Sequence, residues 1–119
     1  MTSPAHQLGQ AGEDAAAAHL TAQGYTVVQR NYRYRRAEID LIATLDTRLL
    51  VFVEVKARST SQFGYPEAFV TERKRQLFRL AAEQVQEELD WHGDIRFDVL
   101  AVTPVAAGFR VEHFEDAFY

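Results

Sequence analysis

Polar and apolar positions divide this chain into seven segments. Ser3 followed by Pro4 is a helix start: a capping hydroxyl, then a residue whose missing N–H costs nothing in the first turn. The Ala-rich stretch beyond it runs to Gln23, and Gly24 suits a helix end. "YTVVQRNYRYR" (25–35) is rich in aromatic and β-branched residues and predicts a strand, and "AEIDLIATL" (37–45) predicts a second. Asp46-Thr47-Arg48 turns the chain into "LLVFVEVKAR" (49–58), the third. Gly64 and Pro66 mark a loop, and Thr71 reads as the N-cap of a long helix. Within that helix Leu77, Ala81, Val85 and Leu89 make one apolar stripe, and Gly93 ends the segment. "DIRFDVLAVTP" (94–104) and "GFRVEHF" (108–114) are the last two strands. The order α-β-β-β-α-β-β predicts an α/β domain, a mixed central sheet flanked by helices. The third and fourth strands are expected to be parallel neighbours joined by the long helix.

A length of 119 residues, 47% hydrophobic and 25% charged, predicts one folded domain over 1–119. The absence of cysteine excludes disulfides and thiolate zinc sites. No signal peptide and no bilayer-length apolar run are seen, so a cytoplasmic protein with no membrane partner is expected. A net charge of −4 argues against a broad nucleic-acid surface but leaves room for a local basic patch. His6, His19, His92 and His113 lack metal-ligand spacing and read as surface or packing residues.

The third strand raises a chemical question. Its side chains alternate, so Glu54 and Lys56 share one face while Val51, Val53 and Val55 take the other. If the preceding turn centres on Thr47, Asp40 lies directly opposite Glu54, with Cβ atoms roughly 4.5–5.5 Å apart. Two carboxylates so placed repel each other in a partly apolar setting. One resolution is a structural salt bridge between Glu54 and Lys56. The other is a divalent cation: Mg²⁺ takes carboxylate oxygens, activates water and offsets charge on a phosphate, with a lysine at hand for the water or the phosphate.

Asp40 followed by Glu54-Val55-Lys56 resembles the PD-(D/E)xK nuclease superfamily, with its restriction-endonuclease-like core. "GQAGEDAAAAHL", "RNYRYRRAEIDLIA", "VFVEVKAR", "FGYPEAFVTERK" and "RFDVLAV" are similar, in order, to segments of the bacterial YraN family of predicted endonucleases. That resemblance implies a metal-dependent endonuclease acting on DNA, on branched or flapped forms by likeness to Holliday junction resolvases. It implies that Asp40 and Glu54 bind Mg²⁺ or Mn²⁺ with the Val55 backbone carbonyl, that Lys56 sits at the attacking water, and that Glu13 is a helix-borne acid near the metal. It also implies a homodimer, since resolvases cut two strands symmetrically. The alternative is a non-catalytic module binding nucleic acid or protein on a nuclease-like scaffold. Where the family typically has glycine before Glu38, this chain has Ala37.

Glu13 shares a helical stripe with Ala17 and Leu20, so it faces inward and needs a partner: the site, the backbone or an arginine. "RNYRYRR" (30–36) offers Arg33, Arg35 and Arg36 for phosphates and Tyr32 for base stacking, or else is a solvated hairpin whose aromatics pack on the sheet. Arg58 and Lys74 are further candidates for nucleic-acid contact; Lys74 falls in the first turn of the long helix. Arg96 and Asp98 share a face and read as an internal ion pair.

Overall fold

A computed structural model describes residues 3–58 and 70–119. The loop expected around Gly64 and Pro66 lies outside them. The elements are α1 (Pro4–Ala22), β1 (Thr26–Tyr34), β2 (Ala37–Leu45), β3 (Leu49–Ala57), α2 (Glu72–Glu88), β4 (Asp94–Val105) and β5 (Gly108–Phe114). This is the predicted order. The strands form one open mixed sheet in the order β1-β2-β3-β4-β5. Only β3 and β4 run parallel, with α2 as their crossover; the other pairs are antiparallel.

Both helices start and stop by local chemistry. Ser3 Oγ accepts from the His6 amide at 3.1 Å, and Thr71 Oγ1 from the Lys74 amide at 3.2 Å, so each cap satisfies a donor the helix cannot. α1 ends in a Schellman motif: the Tyr25 amide donates to the Leu20 carbonyl and the Gly24 amide to the Thr21 carbonyl, with Gly24 at φ +92°. α2 ends the same way, but the left-handed residue is Asp90 at φ +51°, and the Trp91 amide donates to the Gln86 carbonyl. The helix therefore stops at Glu88, ahead of Gly93. Leu89, expected on the apolar stripe, is the C-cap and is 47% exposed; the buried face of α2 is Phe78, Ala81, Ala82 and Val85.

The two sheet faces bury two apolar clusters. On one, α2 covers Ile39, Ile42, Leu50, Phe52, Phe97 and Val99, and the C-terminal Phe118 stacks on Phe97 at 5.4 Å. On the other, Ala16 and Leu20 of α1 cover Leu41, Val51, Val53, Leu100 and Val102. The alternation of β3 predicted these two faces. α1 sits close because of Gly12: a Cβ there would lie 2.8 Å from Val102 Cγ2 and 3.2 Å from Ala57 Cβ.

The β2–β3 register is the one a turn centred on Thr47 requires, from Leu45↔Leu49 to Leu41↔Val53. The pairing stops there, so Asp40 and Glu54 lie one step past its end. In β2, Ile39 and Ile42 both face α2 while Leu41 and Ala43 face α1, so the alternation slips by one at Asp40. β1 has a matching gap, pairing Tyr32 with Ile39 and Arg30 with Leu41 around Asn31 at φ +53°. The left-handed residue of the β1–β2 turn is Arg35 at φ +56°, whereas Ala37 is buried in the strand without one. No glycine is needed at position 37.

Candidate functional site

The slip at Asp40 opens the sheet where α1 passes over it. A cavity of about 770 Å³ lies there, lined by residues including Glu13, Arg30, Asn31, Asp40, Val55 and Ala57. Asp40 Oδ2 accepts from the Val55 amide at 2.7 Å. Burial, and then the Glu54 carboxylate, push the Asp40 carboxyl up to about 7, against the pull of the Val55 amide and the Lys74 ammonium. Glu13 adds a smaller push in the same direction. Asp40 and Glu54 are therefore electrostatic neighbours just past the end of the ladder, not the directly opposed pair that the sequence predicted, and burial together with Glu54 favours the neutral form of Asp40.

Glu54 is buried at 3% exposure, on the α2 side of β3. Its Oε1 is ion-paired with Lys74 Nζ from the first turn of α2 and lies 3.9 Å from Lys56 Nζ. Lys74, expected to meet nucleic acid, is thus engaged with the carboxylate. Glu13 does face inward, and its partners are Arg30 Nε at 3.0 Å and Asn31 Nδ2 at 3.1 Å. Arg30 also reaches Asp14 at 2.5 Å. Glu54 and Lys56 do not line the cavity that Glu13, Asp40 and Val55 line. Among the described residues, no three acidic or histidine side chains are gathered as a metal cage.

The basic stretch divides. Arg33 and Arg36 are exposed, Arg33 pairing with Glu38, and Arg35 lies over the Tyr34 ring at 5.2 Å. Tyr32, expected to stack on bases, is a core residue instead: it is 6% exposed and its hydroxyl donates to Glu88 Oε1 at 2.9 Å. The Arg58 amide extends β3 by donating to the Val102 carbonyl at 2.8 Å.

A second charged cluster lies toward the other end of α1. Asp98 is fully buried, and Arg96 grips it through Nε at 2.8 Å and Nη2 at 2.7 Å. This is the predicted internal pair. Its further partners, His113 Nε2 at 2.7 Å and the Asp116 amide at 3.0 Å, come from β5 and the segment after it and carry no local sequence signal. Burial alone would raise the Asp98 carboxyl, yet these hydrogen bonds outweigh it and hold the group below the usual carboxylate range. Arg30 and Asn31, which hold Glu13, were likewise unmarked as site residues; the one available signal was Asn, a residue tolerant of positive φ.

The model of a family described as "Uncharacterised protein family UPF0102" matches residues 12–102. A UPF0102 protein of Prosthecochloris aestuarii is 46% identical, covering 96% of this chain and 94% of its own. One of Flavobacterium psychrophilum is 42% identical over 96% and 95%. Among solved structures, Pyrococcus furiosus SfsA in complex with Ca²⁺ is 16% identical with a TM-score of 0.39. That match covers 92% of this chain but 62% of SfsA, and at that score it carries no argument.

Proposed function

The chain belongs to the UPF0102 family, the YraN-like family its motifs resemble, and from that premise we propose that it is a metal-dependent endonuclease hydrolysing DNA phosphodiester bonds. The observation that carries this reading is the pair Asp40 and Glu54. A carboxyl raised to about 7 beside a buried carboxylate is an arrangement that solvation and repulsion both oppose and a divalent cation would relieve.

The donor set fits such an ion. Two carboxylates and the Val55 carbonyl are hard oxygen ligands of the kind Mg²⁺ or Mn²⁺ accepts. Bound there, the ion would supply a more acidic water and charge stabilisation at phosphorus. Asp40 and Glu54 would hold it, Glu54 on giving up Lys74. Lys56, partly exposed beside Glu54, would hold the attacking water or accept its proton at Nζ once neutral. Arg33, Arg35 and Arg36, grouped at the β1–β2 turn, would anchor backbone phosphates. Branched or flapped DNA is the substrate class that the resemblance to resolvases implies.

One observation favours the other reading, a non-catalytic binding module: Glu13 and Glu54 each already have a cationic partner. Incubation of the protein with linear, flapped and four-way DNA and Mg²⁺ or Mn²⁺ separates the two. The nuclease reading expects cuts that disappear in Lys56→Ala and Asp40→Asn. DNA bound without cleavage under every metal condition would leave the module.

A further inference from the structure

Among the described residues the sheet has two edges, and they are built differently. β1 is guarded. Its register shifts between Val27 and Gln29, Asn31 stands at φ +53°, Arg30 is tied to α1, and Arg33 projects from the strand. Bulges and charges of one sign are the usual means of keeping an edge from pairing. β5 has no bulge and no proline, pairing with β4 residue for residue from Val99↔Phe114 to Val105↔Gly108, and its charges, Arg110 and Glu112, are of opposite sign.

Two backbone bonds establish which groups of β5 point outward. The Val102 carbonyl accepts from the Arg58 amide, so even-numbered residues of β4 direct their backbone groups toward β3. The Phe97 carbonyl accepts from the Ala117 amide, so odd-numbered residues direct theirs toward the β5 side. Val102 faces Val111, Leu100 faces His113 and Pro104 faces Phe109. These are the pairs without mutual hydrogen bonds. The N–H and C=O groups of Phe109, Val111 and His113 therefore point away from the sheet, along its open edge.

We propose that this edge is an interface between two copies of the chain, β5 pairing antiparallel with β5 about a two-fold axis through Val111. Such an isologous contact makes one continuous sheet, the mode of strand addition in which backbone bonds supply the affinity. The charge pattern selects the register. An axis at Val111 sets Phe109 opposite the second copy's His113, with outward backbone groups matched. It also sets Arg110 opposite the second copy's Glu112, twice by symmetry, in the close side-chain position between hydrogen-bonded pairs. An axis at Arg110 or Glu112 would face like charge with like and would also mismatch the backbone groups. Neither Arg110 nor Glu112 has an ion-pair partner among the described residues. On the α1 side of the strand, partly buried Phe109 and Val111 supply an apolar seam. The proposal is independent of the metal site.

Sedimentation equilibrium of the full chain over a concentration series tests it. Wild type should dimerise. Arg110→Glu and Glu112→Arg should each weaken the dimer about tenfold or more, and the double reversal Arg110→Glu/Glu112→Arg should restore it, because the complementary pair is rebuilt with its signs exchanged. Circular dichroism checks that each variant folds. If a single reversal fails to fold, hydrogen exchange of wild type serves: the Phe109, Val111 and His113 amides should exchange more slowly in concentrated than in dilute protein. A wild type monomeric throughout, single reversals that leave the dimer intact, a double reversal that fails to recover, or exchange independent of concentration would overturn the proposal.

Discussion

Asp40 and Asp98 lie on strands of the same sheet, the first half-buried and the second fully buried, yet their carboxyls are driven in opposite directions. Asp98 has a bidentate arginine, a histidine and a backbone amide on its two oxygens. Asp40 has one amide and a second carboxylate as neighbour. Burial penalises both anions, so the difference lies in the partners. The chain has provided for one buried carboxylate fully and left the other short of positive charge. Structural ion pairs look like the first; the second is the pair on which the proposed metal site rests.

The largest effect should come from unbalancing the satisfied member. Arg96→Met leaves Asp98 buried without its main counter-charge and should cost about 3–5 kcal/mol in urea denaturation. Asp40→Asn should move the other way, raising the stability of metal-free protein above pH 7 by about 1 kcal/mol or more, since it removes a repulsion. A loss comparable to that of Arg96→Met would erase the distinction between the two sites.

The pH dependence sharpens the contrast. Asp98 has a folded pKa below its unfolded value, so its contribution is present above the unfolded value and is lost as pH falls through the folded one. Asp40 has the reverse shift. Between the ordinary aspartate pKa and about 7, the folded protein binds the extra proton, so stability attributable to Asp40 declines as pH rises. Melts of wild type and Asp40→Asn without metal, between pH 5 and 8, should show that decline in wild type alone.

Metal gives the smallest of the expected changes. Mn²⁺ should raise the wild-type melting temperature by a few degrees, and Asp40→Asn and Glu54→Gln should abolish the rise. Lys74→Met removes the ammonium that occupies Glu54 and should tighten Mn²⁺ binding several-fold in calorimetric titration. Weaker binding in that variant would mean that Lys74 organises the carboxylate rather than competing for it.

Much of the fold was legible because its signals are local. Ser3, Thr71 and Gly24 act where they stand, and a three-residue turn determines the β2–β3 register. Asp90 was missed as a helix stop because aspartate adopts positive φ less often than glycine, and Leu89 fell with it. At the site, the nearness of Asp40 to Glu54 followed from the hairpin register, but the slip at Asp40 that ends the ladder did not. The pairing of Glu54 with Lys74, of Glu13 with Arg30, and of Asp98 with His113 did not, because each joins elements whose packing no local pattern encodes. Tyr32 read either as a base-stacking aromatic or as one packing on the sheet, and the second is what the structure shows.

Gly12 has a consequence of its own. It brings α1 against β3 and β4 where even one methyl group would collide with Val102, and the next residue, Glu13, borders the cavity together with Ala57. The clearance beneath the helix is therefore gauged by a hydrogen atom. A larger residue would have to displace the helix, or the Val102 and Ala57 side chains beneath it, to find room.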